Sequence, residues 1–377
     1  MNWSVCSFFL FRLEVFFLNS IERKEKRYLR RKNKRLEKNI SRSNLYGNIN
    51  TAFCFHKVMY YADLCCKGVS FKRSTQNFKL HLFTTIATTC RNIKENKYKV
   101  SNTYQFIIHE RGKIRVIDAP YIKDRLVHKV LSNEIINPIY LPHFIYDNGA
   151  SVINKGFHFS MKRVKEKLRT WYRRYGYYGY ICLVDFSKFF PNCSHDVIRS
   201  IHKRYILNSY TRKVIEDYLF IKPGLSLGCE IAQKEALMLP NILDHYIANK
   251  YPIVRFMDDS FFIVKNKEEA SSILEEYEKL ASSLKIIINK KKTKIIPITE
   301  YFTFCKWKYK LLDDIILCIP CKDTLYRECR KLRKMIRLSL LNSEIYTTYV
   351  SFLAYLSIGN SYRYCLVLKN IYSFVKL

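Results

Sequence analysis

Residues Ile253 to Val264 read Ile-Val-Arg-Phe-Met-Asp-Asp-Ser-Phe-Phe-Ile-Val, two adjacent acids between short runs of β-branched and aromatic residues. Such runs favour strands, and the break between them predicts a hairpin with Asp258 and Asp259 at its tip. Two carboxylates at one tight turn repel each other, so a cation is expected beside them. A third acid, Asp185, ends another apolar run, Tyr180 to Val184. Three acids at the ends of buried strands make an oxygen-rich site suited to a hard divalent ion such as Mg²⁺. That chemistry fits phosphoryl transfer assisted by two metal ions.

Charge points the same way. The chain has 66 Lys and Arg against 32 Asp and Glu, a formal net charge of +34. An excess of this size implies a polyanionic partner, with nucleic acid first. Eleven of the basic residues fall between Ile21 and Arg42, where apolar residues are sparse. That stretch reads as a solvated helix or arm, a tail or a phosphate contact, and the two roles are compatible.

The 13 cysteines are odd in number and scattered through apolar runs, so they are expected as free thiols in a reducing compartment. Cys318-Ile319-Pro320-Cys321 lacks a second ligand pair and is not read as a zinc site. Asn2 to Asn19 is apolar and aromatic, but Arg12 and Glu14 interrupt it and it is too short to span a bilayer. It reads as a packed amphipathic helix or as a stretch ahead of the true start. No other segment reads as a membrane span, so the expectation is a cytoplasmic protein with no membrane partner.

Along the chain, Phe53 to Ile93 reads as helices and Tyr104 to Ile117 as a hairpin around Gly112. Ile122 to Ile139 has helical spacing. Arg163 to Arg174 is a basic helix carrying Trp171 and Tyr172, a mixture suited to a nucleic-acid track. Ser194 as N-cap and Asp196 predict a helix to Ile206. Helices over Glu235–Asn249 and Glu268–Leu284 and a strand over Ile286–Ile288 complete a split βαβ, ferredoxin-like order. After Asp314 the chain reads as helical, with Leu325, Cys329, Leu332 and Ile336 on one stripe.

Five segments then follow in a telling order. Leu183-Val184-Asp185-Phe186-Ser187-Lys188-Phe189-Phe190 is followed by Pro223 to Gln233, then Phe256-Met257-Asp258-Asp259. Asn289-Lys290-Lys291-Lys292-Thr293 and Tyr301 to Trp307 come last. In this order the chain resembles reverse transcriptases of the bacterial and phage type, related to those of group II introns, diversity-generating retroelements and phage-defence systems. The resemblance covers about residues 100 to 370. It implies Asp185, Asp258 and Asp259 as catalytic metal ligands, with the Phe186 carbonyl assisting. It also implies Lys292 as the acid that protonates pyrophosphate.

The same resemblance implies a nucleotide site at Lys113, Arg115, Arg125, Phe190, Gly228 and Gln233, with Phe190 as a gate against the ribose 2′-OH. Ser151 and Lys155 fall on the template side, and Phe304 and Trp307 in the primer grip. Phe256 stands where the family usually has Tyr. Leu227 stands where many relatives have Gln, which leaves two readings: an error-prone enzyme, or a Leu227 that only packs the loop while Gln233 or pocket shape sets fidelity. Neither an RNase H carboxylate set nor an HNH signature is evident in the sequence.

The implied fold is α+β, a right-hand polymerase with a ferredoxin-like palm, fingers and a helical thumb. The expected parts are a basic helical extension over 1–98, fingers over 99–179, palm over 180–312 with a finger-side insertion near 206–234, and a basic thumb over 313–377. The implied reaction is templated addition of dNMP to a 3′-OH with two Mg²⁺ ions, Mn²⁺ being a substitute. Implied partners are an RNA template, a DNA or RNA primer, dNTPs and an accessory protein or structured non-coding RNA. Retroelement and antiviral-defence settings both fit. Alternatives are a protein-primed or template-independent DNA polymerase of the abortive-infection type, or a non-catalytic, maturase-like RNA-binding protein.

Overall fold

The computed structural model describes residues 20–375, without Asn102 and Arg111 and without the side chains of Ile21 and Lys113. The apolar stretch Asn2 to Asn19 lies outside the described residues. The alternating segment around Gly112 forms a two-stranded sheet of β1 (Thr103–Glu110) and β2 (Lys113–Pro120).

A four-stranded sheet carries the acids. Its strands are β3 (Tyr180–Val184), β4 (Ile253–Phe256), β5 (Asp259–Val264) and β6 (Lys294–Pro297), in the order β4-β5-β3-β6. All three pairings are antiparallel. With helices between β3 and β4 and between β5 and β6, this is the split βαβ arrangement of a ferredoxin-like palm. Successive side chains alternate between faces. Ile181, Val254, Phe261 and Ile263 share one core with Val164 and Leu168 of the basic helix Phe157–Tyr175. Helix Lys267–Ser283 forms because Asn266 caps it, accepting from the Glu269 N–H at 2.7 Å, with Glu268 and Glu269 in the first turn. Its stripe of Ala270, Ile273, Tyr277 and Ala281 is buried.

Arg255 of β4 is also buried, with 0% exposure. Its Nε and Nη2 donate to Asp244 Oδ1 and Tyr277 Oη, both at 2.7 Å. Its guanidinium carbon lies 4.9 Å from the centre of the Phe186 ring.

Two expectations shift here. The fourth strand is Lys294–Pro297, because Ile286–Ile288 makes only an isolated bridge from Ile288 to Phe186. The helix expected over Glu235–Asn249 is two helices, Glu230–Met238 and Asn241–Ala248. Pro240 lies between them, and a proline cannot donate the N–H that a continuous helix needs.

A third sheet contains β7 (Phe302–Phe304), β8 (Trp307–Leu312) and β9 (Ile315–Pro320). Cys305 and Lys306 join β7 to β8 with φ of 50° and 63°, the left-handed pair that two-residue hairpins favour. The chain after Asp314 is therefore first a strand and only then helical. Helices Lys322–Arg337, Asn342–Leu356 and Tyr362–Tyr372 pack around Leu325, Cys329, Leu332, Ile345, Leu356 and Leu368.

Two compact units divide the chain out of sequence order. One takes the residues up to Gln105 together with Ala119–Pro142 and Arg199–Tyr218; the other takes Phe106–Asp118, His143–Ile198 and Leu219–Leu377. The N-terminal helices are thus not a unit by themselves. Glu134 accepts from Lys57 Nζ at 2.5 Å and Tyr61 Oη at 2.7 Å. Ser43 Oγ accepts from the Leu207 N–H at 2.7 Å. Tyr98 and Tyr218 both donate to Asp124 Oδ1, at 2.7 and 2.8 Å. Among the described residues, no helix is long and apolar enough to cross a membrane.

Candidate active site

Sheet register brings the acids together. Val184 pairs with Ser260, so the next residues along, Asp185 and Asp259, face each other across two strands. Met257, the first turn residue, has a φ of 55°, which lets β4 turn straight into β5. Like charges directly opposite destabilise a sheet unless something neutralises them. Asp259 shares a hydrogen bond with Asp185, and its carboxyl is pushed up to about 7. Burial is the main cause, followed by the charges of Asp258 and Asp185. Burial, then the neighbouring Asp185, also raises Asp258.

Asp185 is buried and held from the other side. Lys292 Nζ donates to its two oxygens at 2.8 and 3.0 Å, and Asn289 Nδ2 donates to Oδ2 at 3.0 Å. The Asn289 N–H also bonds the Asp185 carbonyl at 2.8 Å. The hydrogen bond to Asp185 raises the Lys292 amine, so it is charged. Asp185, Asp259 and Lys292 open on a cleft of about 750 Å³ that is also lined by Lys306, Asp323 and Arg327.

The donor chemistry suits a hard cation: Asp185 and Asp259 meet at a shared hydrogen bond beside the Asp258 turn, and burial with the neighbouring acids disfavours the ionised form of Asp259. Among the described residues, no group of three or more His, Cys, Asp or Glu is placed so that it could hold a metal ion as it stands. Lys292 and Asn289 take up the Asp185 oxygens instead.

The other expected site residues divide. Phe186 is buried beside Asp185, its ring 5.1 Å from that of Phe189. Phe190 is half-buried, its ring 6.0 Å from Phe189. Ser151 and Gln233 meet, with Ser151 Oγ donating to Gln233 Oε1 at 3.2 Å. Lys155 is occupied locally, its amine 4.6 and 4.9 Å from the centres of the Tyr146 and Phe159 rings.

Arg115 pairs with Glu110 at 3.0 Å. Arg125 is exposed on helix Ile122–Val130 in the other unit. The side chain of Lys113 lies outside the described residues. Phe304 and Trp307 correct the primer-grip reading: they pair across β7 and β8, and both are buried in the core, Trp307 completely. Between Phe302 and Trp307 the exposed side chains are Thr303 and Lys306.

Gly228 is also used differently than expected. Its φ is 105°, and an added Cβ would sit 2.7 Å from the Asp118 carbonyl oxygen, so its close approach is to β2. The Asp118 N–H donates to the Leu227 carbonyl at 2.9 Å, and Lys222 pairs with the Asp118 carboxylate, fixing this loop to the strand. Gly228→Ala is expected to destabilise the protein by about 1–3 kcal/mol through strained backbone and contact. A urea melt checks this; an unchanged midpoint would contradict the tight packing.

Sequence reasoning assigned no role to Asn289, Arg255 or Lys222. Asn289 could have been found from its place three residues before Lys292, which lets one turn present both side chains. The Arg255–Asp244 pair joins a strand to a helix and leaves no local signal.

A family model for reverse transcriptase (RNA-dependent DNA polymerase) matches residues 94–305, more than half of the chain. No curated protein matches the chain. Similar solved structures include telomerase from Candida albicans in complex with a TWJ fragment of telomeric RNA, at 13% identity and TM-score 0.44, covering 75% of this chain and 61% of that one. Apo telomerase from Candida tropicalis is similar at 11% identity and TM-score 0.47, covering 74% and 57%. Its form truncated from the C-terminal domain gives 12% and 0.43, covering 63% and 60%. The chain spans less than two thirds of the length of each.

Proposed function

The chain belongs to the reverse transcriptase family, and on that premise we propose that it is an RNA-directed DNA polymerase whose catalytic centre is formed by Asp185, Asp258 and Asp259. The single observation that carries this is the register placing Asp185 against Asp259 beside the Asp258 turn. The reaction is attack of a primer 3′-OH on the α-phosphate of a dNTP, directed by an RNA template and releasing pyrophosphate. Two divalent ions, Mg²⁺ by preference, would supply a lowered 3′-OH pKa and charge stabilisation on the phosphates.

The chain's own residues do the rest by positioning. β3 and the β4–β5 turn fix the acids. Lys292 holds a proton at Nζ close to them and is the candidate donor to leaving pyrophosphate. Phe190 is the candidate sugar gate, and Ser151 with Gln233 a candidate template contact. A bacterial or phage-type setting, in a retroelement or in antiviral defence, is the finer reading, supported by the ordered sequence segments. A structured RNA or accessory protein partner and a cytoplasmic location go with it.

The test is extension of a DNA primer on RNA with and without Mg²⁺. Extension that requires both RNA and the ion is expected; none in either condition overturns the assignment.

Metal binding should depend on pH with a definite sign. The Asp259 pKa is raised in the fold, to about 7. Without metal, the stability this protonated carboxyl contributes is present below the ordinary carboxylate range, near 4, and is lost as pH rises towards 7. A cation competes for that same site, so stabilisation by Mg²⁺ should grow over the same window. The Tm increment from Mg²⁺ is expected to be larger at pH 8 than at pH 5, and Asp259→Asn should flatten the difference. Equal increments in the wild type would contradict the shared site.

A further inference from the structure

The helix Ser20–Tyr46 lies in the unit that does not contain the acids. Its Lys24, Arg27, Arg31, Lys32 and Arg35 line a cavity of about 530 Å³ together with Arg204 of helix His195–Tyr205. No carboxylate among the described residues lines that cavity. Among the described residues, no ion pair joins any of the six to an acid. The helix is not a loose tail. Its C-terminal end is tied by Ser43 Oγ to the Leu207 N–H at 2.7 Å, and the next residue after it, Gly47, accepts from Thr211 Oγ1 at 2.8 Å. Those two bonds fix the chain just after Arg204 to the end of the basic helix.

Six like charges around one cavity repel each other unless a multiply charged anion sits among them. We propose that this cavity is a docking site for RNA, separate from the catalytic acids, that grips backbone phosphates and stacks an unpaired base on Tyr28. Arginine forks match phosphate oxygens two at a time. Tyr28 lines the same cavity and is 63% exposed. Cations beside an exposed aromatic ring are the pattern that holds single-stranded or looped nucleic acid. RNA is favoured over DNA because the family copies RNA. An anionic membrane is the weaker match: among the described residues, the helix exposes the aliphatic side chains of Leu29, Leu36, Ile40 and Leu45, too few to insert.

The inference does not depend on the catalytic assignment, and its test omits catalysis. Anisotropy of a fluorescein-labelled RNA hairpin with a single-stranded loop is measured with the full chain in EDTA, without dNTPs. Arg31→Glu/Arg35→Glu, on the exposed helix where folding is undisturbed, should weaken binding at least about tenfold. Arg204→Glu should weaken it several-fold, and each lost phosphate contact should lower the salt slope by about 0.7–0.9. Tyr28→Ala should weaken the looped hairpin about tenfold and leave a blunt, fully paired RNA duplex unchanged. Lys279→Glu, an exposed residue of the other unit, makes the same charge change as Arg204→Glu and should bind like wild type.

If the Arg31→Glu/Arg35→Glu and Arg204→Glu proteins bind like Lys279→Glu, the proposal fails. A DNA hairpin of the same sequence and phosphatidylglycerol vesicles run alongside. Effects confined to the DNA, or to the vesicles, would assign the cavity to those ligands and overturn it as an RNA site.

Discussion

Asp258→Asn is expected to lower dNMP incorporation by at least about 100- to 1000-fold, the scale of removing one preorganised electrostatic contact to the reacting phosphate. RNA affinity should stay close to wild type, because phosphates are held by Lys and Arg elsewhere on a chain with 66 of them. Asn keeps the size of the side chain and removes its charge. The charge is what matters here: burial and then the neighbouring Asp185 raise the Asp258 carboxyl, Lys292 and Arg255 oppose the shift, and a bound cation should favour the ionised form further. Asn at 258 should also ease that repulsion and leave the fold as stable as before, or more so. Filter binding and single-nucleotide extension measured on the same preparation separate the two effects. Extension at the wild-type rate would remove Asp258 from the metal site.

The second large effect is on stability. Arg255→Ala is expected to cost about 3–5 kcal/mol, because it leaves the Asp244 carboxylate buried with no cation. Asp244 is 1% exposed, and Arg255 sits on the strand that leads into the Asp258 turn, three residues before Asp258. Arg255 also lies over the Phe186 ring, next to Asp185, so the loss should loosen both walls of the acid site. Replacing both partners, as Arg255→Met with Asp244→Leu, should recover most of the stability, since a packed apolar pair can match a buried ion pair. Denaturant melts of the three proteins decide this. A single variant within about 1 kcal/mol of wild type would mean the pair is not what holds β4 in place.

The acid site was legible in the sequence because its parts are local. Alternating apolar runs on both sides of Asp258 and Asp259 give a hairpin, and an apolar run before Asp185 gives a strand end. Antiparallel pairing then leaves few ways to avoid bringing them together. What was not legible is long-range or depends on which side of a strand faces in. Ile286–Ile288 looks like a strand by composition, yet the chain there turns back so that Asn289 and Lys292 reach Asp185. Phe304 and Trp307 sit on an aromatic hairpin, and only the packing shows that they face the core while Thr303 and Lys306 face out. The unit made from three separate stretches rests on contacts such as Ser43 with Leu207, 164 residues apart, which no local pattern encodes. The same holds for Arg204 facing the basic helix.

The most direct test of the central claim is the sequence of the product. Two RNA templates of unrelated sequence, each annealed to the same DNA primer, are copied by the purified chain with four dNTPs and Mg²⁺, and the extended strands are sequenced. If the acids at the end of β3 and in the β4–β5 turn are a template-directed polymerase centre, each extension is DNA and is the complement of its own template. Identical or homopolymeric extensions from both templates, or no extension at all, would contradict the account.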